Sequence, residues 1–103
     1  MKHLLMKVEG DVSDPRVVLS TFYQALSAAG ANVVRVEDHF FPTQGYTAMA
    51  LLEESHATVH TWPEHGYAMV DYFSCAEEPN EEDFADLWFS MGFAIAHKEV
   101  IER

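Results

Sequence analysis

His56-Ala57-Thr58-Val59-His60-Thr61-Trp62, then Pro63-Glu64-His65-Gly66, then Tyr67-Ala68-Met69-Val70-Asp71-Tyr72-Phe73-Ser74, is the stretch whose reading decides the fold. The first seven residues alternate and are rich in β-branched side chains, so they read as a strand. Pro63 to Gly66 is turn chemistry, and Tyr67 to Ser74 is a second strand that completes a hairpin. Upstream, Tyr46 to Glu53 and Asn32 to Phe41 read as strands joined by the turn Pro42-Thr43-Gln44-Gly45. A first strand covers His3 to Val8. Asp14 before Pro15 marks a helix start, a capping residue followed by proline at the first helical position. Val18, Phe22, Ala25, Leu26 and Ala29 recur at helical spacing, and Gly30 stops the helix.

Downstream, Asn80 with Glu81, Glu82 and Asp83 opens a second helix. Its expected buried face is Phe84, Leu87, Trp88, Met91 and Ile95, and His97 to Ile101 is expected as a short last strand. Strands outnumber helices, and hairpins link them. The expectation is a single domain over residues 1–103 of α+β class: a two-layer sandwich, an antiparallel sheet with two helices on one face. The other face of such a sheet is left for a partner or a ligand.

The composition narrows the function classes. Apolar residues make up 49%, which fits a globular chain and not a disordered one. Six Lys+Arg against seventeen Asp+Glu give −11, which argues against nucleic acid and suits a cationic ligand. One cysteine forms no internal disulfide, so a reducing, cytoplasmic setting is expected. No stretch is long and apolar enough to span a membrane, and no leader-peptide pattern opens the chain.

Chemistry-bearing residues cluster around the hairpin. Ser55 stands at a strand junction, His60 is five residues on, and Cys75, the sole cysteine, is twenty residues on. Nucleophile, acid/base group and thiol are what self-processing and carbanion chemistry need. Taken singly, each has a plainer reading: a turn serine, a hydrogen-bonded histidine, a buried thiol, and Phe41 and Trp62 as core aromatics. Strand parity puts His56, Thr58, His60 and Trp62 on one face and Ser55 on the other. A break or bulge at Ser55 is then needed to bring it to His60. If Trp62 lies across from Tyr67, Cys75 projects on the His60 side and reaches back toward Glu54 and His56. A metal held by His56 and His60 is disfavoured, because four strand residues separate them by about 13 Å.

The block also resembles a known family. Glu54, Ser55, His56, His60, Thr61, Trp62, Pro63, Glu64, Gly66, Tyr67, Asp71, Phe73, Ser74 and Cys75 match the run E-S-H-x-x-x-H-T-W-P-E-x-G-Y-x-x-x-D-x-F-[ST]-C. That run is similar to the processing and active-site segment of the small bacterial and archaeal S-adenosylmethionine decarboxylases. Ala76 departs from it, standing where the family commonly has glycine. The N-terminal segment Met1-Lys2-His3-Leu4 is also shorter than usual, and the sequence runs to Arg103.

The resemblance implies self-cleavage between Glu54 and Ser55, leaving residues 1–54 and a second chain 55–103 capped by a pyruvoyl group derived from Ser55. A ketone there takes up an amine and serves as an electron sink. It further implies His60 as the processing base, Cys75 as the proton donor after carbon dioxide leaves, and Phe41, Trp62 and Glu64 as the substrate shell. S-adenosylmethionine would be the substrate, its product would feed spermidine synthesis, and the protein would be a homodimer. Two other readings stay open: a pyruvoyl-dependent decarboxylase of ornithine or arginine, and an unprocessed homologue that acts as a binding partner.

Overall fold

The chain runs β1 (Lys2–Glu9), α1 (Pro15–Ala28), β2 (Val33–Phe40), β3 (Tyr46–Leu52), β4 (Ser55–Trp62), β5 (Tyr67–Ser74), α2 (Glu81–Ser90) and β6 (Ala94–Glu102). The computed structural model describes residues 1–75 and 80–103, so the departure at Ala76 lies outside the described residues. The strands form one six-stranded sheet in the order β2-β3-β4-β5-β1-β6. Every neighbouring pair is antiparallel. Register shifts occur only toward the edges, between Val33 and Arg35 in β2 and where β6 meets Lys7 and Val8 of β1. The four central strands keep an unbroken register, and they carry the site.

Alternation sorts the sheet into two faces. Leu4, Met6 and Val8 of β1, Ala48 and Ala50 of β3, Ala57 and Val59 of β4, and Ala68 and Val70 of β5 are all buried on one face. Both helices cover that face, and Val18, Phe22 and Leu26 of α1 join Phe84 and Trp88 of α2 in the same core. Each such large apolar side chain contributes roughly 1.5–3 kcal/mol on burial.

Capping follows local chemistry. The Asp14 side chain accepts from Arg16 N–H at 2.9 Å, and Pro15 starts α1. The Arg16 side chain, then its backbone N–H, hold the Asp14 carboxyl below its ordinary value. Asn80 caps α2 by accepting from Asp83 N–H. Two expectations change at the C-terminal end. The second helix stops at Ser90, so Met91 is its exposed cap and Ile95 belongs to β6. The cause is Gly92, whose φ of +98° only glycine adopts readily. The last strand is also nine residues long, because it pairs along all of β1.

Candidate functional site

The open face of the sheet is built differently. Strand β4 presents His56, Thr58, His60 and Trp62 there, while Ala57, Val59 and Thr61 point to the helices. His60 and Trp62 are half-buried, and Met49, Leu51 and Met69 beside them are exposed.

At one end of β4, Ser55 is the first strand residue and pairs with Leu52 across the two-residue turn Glu53-Glu54. Glu54 has φ 70°, the one non-glycine residue with positive φ among those described. A side chain is disfavoured there by its own Cβ. The Ser55 side chain is half-buried, and its hydroxyl has no hydrogen-bond partner among the described residues. The hairpin register pairs Trp62 with Tyr67 and His56 with Phe73, as the sequence reading supposed. Cys75 follows Ser74, the last residue of β5, at the same end of the strand pair as Ser55. Cys75 is a free, exposed thiol and not a buried one, with its Sγ 3.5 Å from Met1 Sδ. Nearby, Asp71 accepts from the Thr58 hydroxyl and pairs with His3 Nε2 at 2.8 Å. The Phe73 ring stacks on His56 at 5.3 Å and meets His3 edge-on at 5.5 Å.

At the other end, aromatic rings converge. His60 and Trp62 have centroids 4.3 Å apart, Phe41 and His60 5.6 Å, and Trp62 stacks on Tyr67 at 5.1 Å. Lys7 Nζ lies 4.4 Å above the Tyr67 ring. A hydrogen bond joins the Thr47 hydroxyl to His60 Nδ1. Phe41, Thr43, Gln44, His60, Trp62 and Glu64 line a cavity of about 240 Å³. A second cavity of about 450 Å³ adjoins it, running from Phe41 and Glu64 to Val12 and Tyr46. The Tyr46 hydroxyl donates to Asp38 at 2.8 Å. Burial first, then the hydrogen bond and charge of Asp38, push its phenol far above the usual range, so it stays a neutral donor.

The sequence-derived residues therefore fall into two groups. Phe41, His60, Trp62 and Glu64 share one cavity. Glu54, Ser55 and Cys75 gather at the opposite end of the strand pair. No bulge interrupts β4 from His56 to Trp62, where both flanking registers are continuous, and the strand begins at Ser55 directly after the turn at Glu53-Glu54. Ser55 and His60 thus lie on opposite sides of one straight strand, five residues or about 16 Å apart. Sequence reading also missed Thr47, Thr43 and Gln44. Thr47 was within reach of arithmetic, because a two-residue turn at Glu53-Glu54 pairs residue 47 with residue 60. The two turn residues carried no such signal.

The family model described as S-adenosylmethionine decarboxylase matches residues 4–100. The chain belongs to that family. It is an enzyme of the carboxy-lyase class. It is 40% identical over 86 residues to an S-adenosylmethionine decarboxylase proenzyme of Methanococcus maripaludis, covering 80% of this chain and 70% of that one. To the proenzyme of Prochlorococcus marinus it is 37% identical over 90 residues, covering 84% and 72%. The crystal structure of the adenosylmethionine decarboxylase from Aquifex aeolicus superposes with a TM-score of 0.81 at 25% identity, over 99% of this chain and 88% of that one. Membership agrees with the observed α+β sandwich. Among the described residues no helix is long and apolar enough to cross a membrane.

Proposed function

We propose that this chain cleaves itself between Glu54 and Ser55 and, once matured, decarboxylates S-adenosylmethionine to the aminopropyl donor used for spermidine. The observation that carries the cleavage reading is the turn itself. Glu54 is held at a φ that costs roughly 1–2 kcal/mol, directly before a serine hydroxyl that has no partner among the described residues. Attack of Ser55 Oγ on the Glu54 carbonyl carbon forms an ester, while the C–N bond breaks and the amine takes the proton. Loss of the Ser55 α-proton then expels the Glu54 carboxylate and leaves dehydroalanine. Hydrolysis of its imine tautomer releases ammonia and leaves the pyruvoyl group. Ser55 fits that group, being a serine whose hydroxyl has no partner among the described residues and whose preceding residue is exposed in a turn.

The pyruvoyl ketone supplies a sink for the electron pair released when a carboxylate leaves as carbon dioxide. The remaining work falls to side chains of this chain. Cys75, just past the end of β5, holds the proton returned to the substrate α-carbon. Phe41 and Trp62 offer flat faces to an adenine. Glu64, with no partner among the described residues, accepts from the ribose hydroxyls. A sulfonium near these rings gains roughly 0.5–2 kcal/mol, and the net charge of −11 favours the approach of a cation.

His60 is the processing base in this reading, and a second copy brings an imidazole to the Ser55 end of β4, where the Ser55 side chain must turn from the helix face to meet it. Met49, Leu51 and Met69 leave the open face apolar and exposed, as an interaction surface is. A homodimer packed through that face, with its β4 strands running oppositely, sets the Trp62 end of one copy over the Ser55 end of the other. In the tautomer with the proton on Nδ1, donated to Thr47, His60 Nε2 is the free base. The substrate reading is tested by competition between carboxyl-labelled S-adenosylmethionine, ornithine and arginine. Carbon dioxide is expected fastest from S-adenosylmethionine, and Glu64→Gln is expected to weaken that release. Faster release from an amino acid keeps the pyruvoyl chemistry and removes the substrate.

A further inference from the structure

The turn between β2 and β3 is tied down. Phe41 N–H donates to the Gly45 carbonyl at 3.0 Å, closing the loop on itself. Gly45 has φ +105°, and a Cβ there would meet the Thr61 carbonyl at 3.3 Å and the Phe41 ring at 3.5 Å. The loop is therefore pressed onto β4 next to Trp62, where only glycine lets the backbones approach so closely. This fixes Thr43 and Gln44 over the mouths of both cavities at that end.

Gln44 is chemically distinct among the residues that line both cavities. Glu64 only accepts and Thr43 offers a single hydroxyl, whereas a carboxamide offers one donor and one acceptor group in a plane. The Gln44 side chain is exposed and has no partner among the described residues. Adenine presents the matching pair on its outer edge, an N7 acceptor beside an N6 donor. A 6-oxo purine presents two acceptors there, and a carboxamide cannot satisfy both.

We propose that Gln44 is a specificity-determining residue whose carboxamide reads the N6–N7 edge of the adenine held between Phe41 and Trp62, selecting 6-amino over 6-oxo purines. The proposal rests on the nucleoside reading of this cavity. A good two-point base contact discriminates by about 1–3 kcal/mol, roughly five- to 150-fold.

Two probes test it by calorimetry on the purified full chain: 5′-deoxy-5′-methylthioadenosine and its 6-oxo counterpart. Wild type is expected to bind the adenine probe at least about tenfold more tightly. Gln44→Leu, close in shape, is expected to bring the two affinities within about threefold by weakening the adenine probe alone. In turnover of S-adenosylmethionine the same variant should raise KM by about tenfold with little change in kcat, the signature of lost ground-state binding. The extent of cleavage at Glu54–Ser55 reports that the variant is folded. An unchanged preference in Gln44→Leu overturns the role of Gln44 and leaves the function standing. Wild type that cleaves itself yet binds neither probe overturns the nucleoside reading, and the role of Gln44 with it.

Discussion

The two ends of β4 are ordered by different means. At the Trp62 end, rings from β2–β3, β4 and β5 pack on one another around a cavity, and the Thr47 hydroxyl orients His60. Everything that end needs to hold a flat ligand comes from one chain. At the Ser55 end there is a strained turn, a serine hydroxyl with no partner among the described residues, and an exposed thiol. In the proposed function, recognition would be assembled by packing within the fold. The proposed nucleophile and cleaved bond lie at the Ser55 end, and the proposed base, His60, is about 16 Å away along the strand. In the proposed homodimer the two ends meet through a second copy.

Four substitutions press on this contrast, in falling order of effect. Ser55→Ala removes the nucleophile, and intact mass should show one species at 11.7 kDa with no fragments after long incubation. Fragments from that variant would put the cleaved bond elsewhere. His60→Ala should slow cleavage by roughly 10²–10⁴-fold, the usual worth of a positioned base. Co-expressing it with Ser55→Ala decides where the base acts. If the ends meet across copies, the His60→Ala chain is cut in mixed dimers; if it stays whole there too, the base works within its own chain. Cys75→Ala should leave cleavage largely intact while decarboxylation falls by about 10²-fold. Decarboxylation at the wild-type rate would remove the thiol as proton donor. The smallest effect belongs to Glu54→Gly. Relief of the positive φ should stabilise the unprocessed chain by about 1 kcal/mol, seen as a raised Tm, and slow cleavage several-fold. Faster cleavage by the glycine variant would show that strain does not drive the step.

Most of the fold was legible. The Asp14-Pro15 start, the Gly30 stop, the turn at Pro42–Gly45 and the Trp62–Tyr67 hairpin are local chemistry, and all stand where the residues put them. The errors came where a local pattern was carried past its end. Met91 and Ile95 continue the helical spacing of α2, but Gly92 breaks the helix between them. His97 to Ile101 looked short because β6 alternates weakly, and its length is set by pairing with β1.

The site divides in the same way. Side-chain alternation has a period of two, so the sequence by itself determined that His60 and Trp62 share a face and that Ser55 faces the other way. The matched run determined the family and the residues to look for. Only the tertiary structure decided that Phe41 and Glu64 close one cavity with them, because that depends on a loop between other strands landing on β4 through Gly45. It also decided that β4 carries no bulge from His56 to Trp62, since a bulge is an outcome of pairing with both neighbours and not of the residues in one strand.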